Sequence, residues 1–286
     1  MNDDERARAV AAVTSIASRC NLTVDAVSVV HNSNKLALHL SPADCFARVA
    51  HVGREVAEFE VDLAQQLAKS GRSPVAALDP RVEPLVYREE GFAITLWTYY
   101  SPQDHPNISP TDFAGALKWL HSAMLKVDVV APHFTDRVAE AQELVKRPDL
   151  TPDMTDADRE LVAGTLENMR RSIEERGAAE QLLHGEPHPG NVLATADGPR
   201  FIDLETVCRG PVEFDLAHVP ERVSNQYPNV DQALLGDCRT LVLAMVAAWR
   251  WDRHDEFPNG VGARHKLMKA LGNGPPSPSL DVAMLD

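Results

Sequence analysis

Residues 182–219 read LLHGEPHPGNVLATADGPRFIDLETVCRGPVEFDLAHV, and the order of acids, amides and turn residues here decides how the rest of the chain is read. The apolar pair Leu182-Leu183 leads like a short strand into His184. A loop rich in Gly and Pro follows, carrying Glu186, His188 and Asn191. VLATADGPRFIDLE then has the pattern of a hairpin, with Asp197-Gly198 as its tight-turn signal. That hairpin is expected to return Asp203 towards Asn191. Carboxylate and amide oxygens suit magnesium, a hard cation commonly held by one or two carboxylates plus substrate phosphates. Glu186 is left over in the loop to orient an attacking hydroxyl.

These residues carry a family resemblance. H-G-E-P-H-P-G-N followed by F-I-D-L-E resembles the catalytic loop of the aminoglycoside phosphotransferases and choline kinases, whose pattern is H-G-D-x-x-x-x-N and then two hydrophobic residues and Asp. The resemblance implies that His184 supports the loop, that Glu186 occupies the catalytic-base position, and that Asn191 and Asp203 bind magnesium. Protein kinases use a base, a loop Asn and a metal-binding Asp in the same order. Asp215 in EFDLA matches a family aspartate that braces the loop from a following helix. The departure is Glu186, which stands where the family has Asp and is longer by one methylene, about 1.5 Å. A misplacement near 1 Å can cost on the order of a hundredfold in rate. Two readings remain: a loop backbone set back to suit Glu, or a weak kinase or nucleotide-binding relic. His188 is a further base candidate, with a structural role as its alternative.

Working outward, residues 3–18 are expected to form a helix with Val10, Val13 and Ile16 in one stripe. AVSVV, KLALHL and CFARVA, separated by HNSN and SPAD, read as a three-stranded antiparallel meander. Residues 53–70 are expected to be helical, with Val56, Phe59, Leu63 and Leu67 on one face. LVYREEGFAITLW reads as a hairpin through Glu89-Glu90-Gly91. Beyond Tyr100 the pattern turns helical. Ser109-Pro110 and Thr155/Asp158 mark helix starts, and CRTLVLAMVAAWRW is a helix apolar enough to be buried. With the resemblance, this order implies an α+β, bilobal, protein-kinase-like fold. Its N-lobe, an antiparallel sheet with a helix, spans 1–100; the helical C-lobe spans 101–272; and 273–286 form a flexible tail.

The resemblance also implies nucleotide-binding positions. A basic residue on the third strand would hold the phosphates of ATP or GTP; here it is Arg48, with Lys35 as the competing candidate. Its acidic partner on the next helix is best matched by Glu60, ahead of Glu55 and Glu58. HNSN (His31 to Asn34) lies where kinases place a phosphate loop, so Ser33 and Asn34 are candidates to cover phosphates, an ordinary turn being the alternative. Trp97, Thr98 and Tyr99 fall at the lobe junction, where backbone groups would pair with adenine, although Trp97 also suits a core position.

The whole chain narrows the partners. It has 286 residues and a net charge of −14, which disfavours nucleic acid, because binding a polyphosphate needs a basic surface. The charge weakly favours a cationic small-molecule acceptor. Glu205, Glu213, Glu221, Asp252, Asp255 and Glu256, with Trp249 and Trp251, are the candidates to hold one, solvated helix-end acids being the commoner reading. Four scattered cysteines without CxxC pairing fit a reduced compartment, and no run of about 18 uncharged apolar residues is present, so a soluble, cytoplasmic protein is expected. The classes in play are a small-molecule kinase, a non-catalytic nucleotide-binding module, and a protein that sequesters a cationic compound.

Overall fold

Turn chemistry and period-two alternation between Val24 and Thr98 build one antiparallel sheet. The computed structural model describes residues 1–32, 35–53, 56–69, 71–101, 108–255 and 260–272. Helix α1 (Asp3–Arg19) opens the chain; Asn2 caps it by accepting from the Glu5 backbone N–H while Glu5 accepts from that of Asn2. Strands β1 (Val24–Asn32), β2 (Leu36–Pro42) and β3 (Cys45–His51) follow, then helix α2 (Val56–Ala68) and the hairpin of β4 (Tyr87–Glu89) and β5 (Phe92–Thr98). The sheet order is β1-β2-β3-β5-β4. The hairpin turns on Glu90 and Gly91, both at positive φ (53° and 82°), the geometry a two-residue connection needs to match strand twist.

Alternation decides what each face of the sheet does. Leu36, Leu38 and Leu40 of β2, Cys45, Ala47 and Val49 of β3, and Phe92, Ile94 and Leu96 of β5 join Ala9, Val13 and Ile16 of α1 in one core. The opposite phase leaves Arg48 level with Ala37 and Thr95 on the other face. On α2 the buried side differs from the expected stripe. Glu60, Val61, Leu63, Ala64 and Leu67 are buried, whereas Val56 and Phe59 are half-buried. The helix turns an acid inward because Glu60 has two cations to meet.

The remaining elements are α3 (Pro110–Met124), α4 (Phe134–Val145), α5 (Asp156–Arg176), β6 (Glu180–Leu183), the hairpin β7 (Val192–Thr195) and β8 (Gly198–Phe201), β9 (Cys208–Pro211), α6 (Val212–Leu216), α7 (Glu221–Ser224), α8 (Gln232–Arg250) and α9 (Gly260–Gly272). Ser109 and Thr155 cap α3 and α5 as their sequences predict, and Gly177 ends α5 in the left-handed region at φ 57°. Apolar α8 buries Leu234, Leu235, Leu241, Val242 and Met245, packing against α5, α4 and α9. The connection between β7 and β8 is Ala196-Asp197, with Gly198 already in the strand, one residue earlier than the Asp-Gly signal implies.

The chain divides into two units, and the division corrects the expected boundary. Unit 1 comprises Met1–Asn107 and Leu193–Glu205; unit 2 comprises Ile108–Val192 and Thr206–Asp286. The hairpin segment bearing Asp203 therefore belongs with the sheet and not with the helical part. Its β8 is fastened there by backbone bonds: Ala76 N–H donates to Phe201 O at 2.8 Å, and Phe201 N–H to Pro74 O at 3.0 Å. The expected tail, 273–286, lies outside the described residues.

Ile16 is fully buried in the unit 1 core. Ile16→Ala is expected to destabilise that unit by about 2–5 kcal/mol, read as a lower denaturant midpoint at unchanged slope.

Candidate active site

Unit 1 gathers five charged side chains around the end of the β8 segment. Glu60, buried on α2, binds a different cation with each oxygen: Arg48 Nη1 reaches Oε1 at 2.7 Å and Lys35 Nζ reaches Oε2 at 3.0 Å. Lys35 also pairs with Glu205 at 2.5 Å and lies 3.9 Å from Asp203 Oδ1, and Arg48 Nη2 donates to that same Oδ1. The sequence left Arg48 and Lys35 as competitors; the structure brings both to Glu60 and Asp203. Asp203 itself sits at φ 65°, a left-handed conformation that Asp tolerates better than most residues. Its Oδ2 has no hydrogen bond or ion pair among the described residues, which leaves a carboxylate oxygen for an external ligand.

Unit 2 builds the loop that presents Glu186. Strand β6 pairs with β9, and the short 3₁₀ turn Pro189–Asn191 closes the loop. Asp215 of α6 is fully buried and holds the loop's base: its Oδ2 accepts from His184 N–H at 2.9 Å and its Oδ1 from Gly185 N–H at 2.7 Å. His121 Nε2 lies 2.9 Å from Oδ2; a carboxylate can only accept, so Nε2 carries a proton, while Nδ1 lies 2.7 Å from the Tyr227 hydroxyl. Burial alone would push the Asp215 carboxyl up; the bond from His121, with the other donors, outweighs it and holds the group below the usual Asp range. Gly185 has φ 89°, and a Cβ there would stand 1.9 Å from the Thr206 carbonyl oxygen, so no other residue fits.

Within that frame Glu186 is partly exposed. Its Oε1 accepts from Arg137 Nη2 of α4 at 2.5 Å, and Oε2 has no partner among the described residues. Burial would raise its pKa, but Arg137 overrides it and the carboxyl stays below the ordinary Glu value, ionised and able to accept a hydroxyl proton's hydrogen bond. Asn191 Nδ2 donates to Glu186 O at 3.0 Å; only the amide nitrogen can donate to a carbonyl, so Oδ1 is the atom left for a metal. Each unit thus presents one hard oxygen of the kind magnesium takes, Asp203 Oδ2 in unit 1 and Asn191 Oδ1 in unit 2. Among the described residues no three His, Cys, Asp or Glu form a metal cage. His188 Nδ1 accepts from Gly190 N–H at 3.1 Å and so caps the turn, the structural alternative the sequence offered for it.

Other expectations are revised or lie outside the described residues. Ser33, Asn34, Glu55 and Glu256 are outside them. Asn32, within the expected phosphate loop, binds Met1 through both amide atoms. Trp97 is buried, its indole N–H donating to Thr95 Oγ1 at 2.8 Å, so it is core. Thr98 N–H donates to Ala77 O and Tyr99 N–H to Asp44 O, so neither of these donors is open to an adenine edge. Of the acids expected to hold a cationic acceptor, Glu205 pairs with Lys35, Asp255 with Arg250, Glu213 accepts from Asp231 N–H and Asp252 from His254 N–H. Sequence reasoning missed Arg137 and His121, which sit 49 and 94 residues from their partners and carry no local signal.

With this geometry in hand, comparison places the chain. The family model for the phosphotransferase enzyme family, APH, matches residues 26–255. The chain belongs to that family. A search of curated proteins found no match. Among solved structures it is similar to the amicoumacin kinase hAmiN in complex with AMP-PNP, Ca2+ and Ami (TM-score 0.68, 11% identity, 100% of each chain covered). It is also similar to the GDP complex of aminoglycoside 2'-phosphotransferase-IIIa (0.67, 12%, 91% of this chain and 97% of that one) and to the choline kinase LicA from Streptococcus pneumoniae (0.64, 13%, 91% and 99%). At these identities the likeness establishes the kinase-like fold, an α+β architecture with an N-terminal antiparallel sheet.

His218 supplies a pH test of this region. It is buried against Phe214, its Nε2 has no hydrogen-bond partner among the described residues, and burial depresses its pKa from 6.5 to about 4. Between those values the unfolded chain binds a proton that the folded chain refuses, so stability falls as pH drops through this window. Urea unfolding at pH 7, 6 and 5 should show that slope, and His218→Gln should flatten it.

Proposed function

We propose that this phosphotransferase moves the γ-phosphoryl group of ATP or GTP onto a hydroxyl of a small molecule, with magnesium as cofactor. The observation that carries the reading is a loop carboxylate, Glu186, with one oxygen unpartnered among the described residues, in a chain that also holds an oxygen of Asp203 unpartnered among them, beside two cations. Arg48 and Lys35 supply positive charge for nucleotide phosphates, with Glu60 orienting both. Asp203 would hold the metal in unit 1 through its Oδ2, and Asn191 Oδ1 is the candidate oxygen donor of unit 2. Magnesium, if bound there, would neutralise phosphate charge as it develops. Glu186 accepts the hydrogen bond of the acceptor hydroxyl and takes its proton as the new O–P bond forms. The bond from the γ-phosphorus to the bridging oxygen breaks, and the nucleoside diphosphate leaves with that electron pair. AMP-PNP and GDP in the similar structures support nucleotide use, and a kinase using cellular ATP or GTP fits a cytoplasmic location.

A second reading, a nucleotide-binding protein of weak or no activity, is favoured by Glu186 being drawn to Arg137 and by the engaged amides of Thr98 and Tyr99. Incubation with MgATP or MgGTP and a panel of aminoglycosides, macrolides, choline-like amino alcohols and sugars separates the two. Mass gain of one phosphate on any acceptor supports transfer; magnesium-dependent nucleotide binding without any gain supports the second reading.

Two substitutions test the roles in unit 1. Asp203→Ala should abolish the magnesium dependence of nucleotide binding, measured by calorimetry, while the far-ultraviolet circular dichroism is retained. Arg48→Ala and Lys35→Ala should each raise nucleotide KM about tenfold or more, the loss of one charge-assisted bond. Unchanged KM in Lys35→Ala would assign the phosphates to Arg48 alone.

A further inference from the structure

The substitution of Glu for Asp at the base position has a partner elsewhere in unit 2. We propose that Arg137 is the positioning residue that fits a glutamate to this site, holding one oxygen of Glu186 so that the other meets the acceptor hydroxyl. This rests on the phosphotransferase reading above.

Both ends of the Glu186 residue are fixed. At the backbone, its carbonyl accepts from Asn191, and the two residues before it are bound by Asp215. At the tip, Arg137 Nη2 holds Oε1 at 2.5 Å. Arg137 is fixed in turn: its side chain is largely buried, and its guanidinium lies 5.1 Å over the Trp249 ring of α8. A guanidinium so placed cannot follow a shorter side chain without leaving the ring. An aspartate at 186 would draw its carboxylate back by about 1.5 Å, out of reach of Nη2. Arg137 would then keep a carboxylate nearby but lose the charge-assisted hydrogen bond to it, an unfavourable change for a largely buried guanidinium. The added methylene of Glu186 is therefore matched by a fixed cation. Drift from a functional aspartate would leave no such fit. His188, His218, Arg250 and Cys208 are further charged or titratable neighbours that act on Glu186.

The experiment has a kinetic arm and an arm that needs no turnover. With an acceptor from the panel, Arg137→Met should lower kcat about a hundredfold and leave the nucleotide KM unchanged. Arg137→Lys, which keeps one charged donor, should recover part of the loss. Glu186→Asp should be costly in the wild-type chain and cost nothing more in the Arg137→Met background, because both changes remove the same alignment. Losses that multiply independently, or a wild-type kcat in Arg137→Met, overturn the proposal. In the second arm, Arg137→Met and Glu186→Gln should each lower the melting temperature, and the double variant should melt above both. An active wild type whose two melting shifts simply add keeps the phosphotransfer reading and removes this one. A wild type inactive on every acceptor, with the melting coupling intact, removes the phosphotransfer reading and reduces Arg137 to a structural ion pair.

Discussion

A fully buried carboxylate must be paid for in hydrogen bonds, and Asp215 meets that demand with donors that also define the catalytic loop. Two of them are the consecutive backbone N–H groups of His184 and Gly185; the third is His121, itself backed by Tyr227. Satisfying Asp215 therefore fixes the chain direction just before Glu186. The same turn runs so close to Thr206 that residue 185 has no room for a side chain, and Thr206 Oγ1 binds His184 O from the other side. Nothing in this arrangement touches a substrate. It converts burial energy into the position of the next residue.

Charge organises unit 1 in a comparable way. Lys35 and Arg48 face Glu60, Asp203 and Glu205, so two cations meet three carboxylates and one negative charge is left over. A nucleotide polyphosphate alone is poorly matched to that balance. On the proposed function, a divalent cation at Asp203 would reverse its sign and release Arg48 and Lys35 from part of their present pairing, so that metal and nucleotide would favour one another's binding. The inward turn of Glu60 is the element on which this depends, because it is the one acid that holds both cations at once.

What was legible in the sequence follows the range of the interactions. Turn residues, caps and alternation are local, and they located the sheet strands, α3, α5 and the loop from His184 to Asn191. The burial of α8 was readable from composition. The inward face of α2 was not: hydrophobicity points to Phe59, whereas Glu60 is buried because Arg48 and Lys35 wait for it on the sheet. The unit boundary was misread for a related reason, since backbone bonds from β8 to residues 74–76 leave no trace in side-chain pattern. Arg137 and His121 lie on ordinary amphipathic helices, and only the folded chain shows which acid each one meets.

The same logic bears on the acceptor. An excess of acids over bases across the sequence suggested a cationic substrate, but charge count is not charge availability. Glu205, Glu213, Asp252 and Asp255 already serve an ion pair or backbone N–H groups within the protein. Using any of them to bind an amine would first require breaking an internal bond, which offsets most of what the new one contributes. Near Glu186 the charged neighbours include cationic or imidazole groups, Arg137 and His218 among them, and Arg137 already lies over one face of the Trp249 ring. The acidic character of the chain is thus consistent with a solvated surface and with the carboxylates paired in unit 1, and the surroundings of Glu186 are electrostatically no better suited to a polyamine than to a neutral polyol.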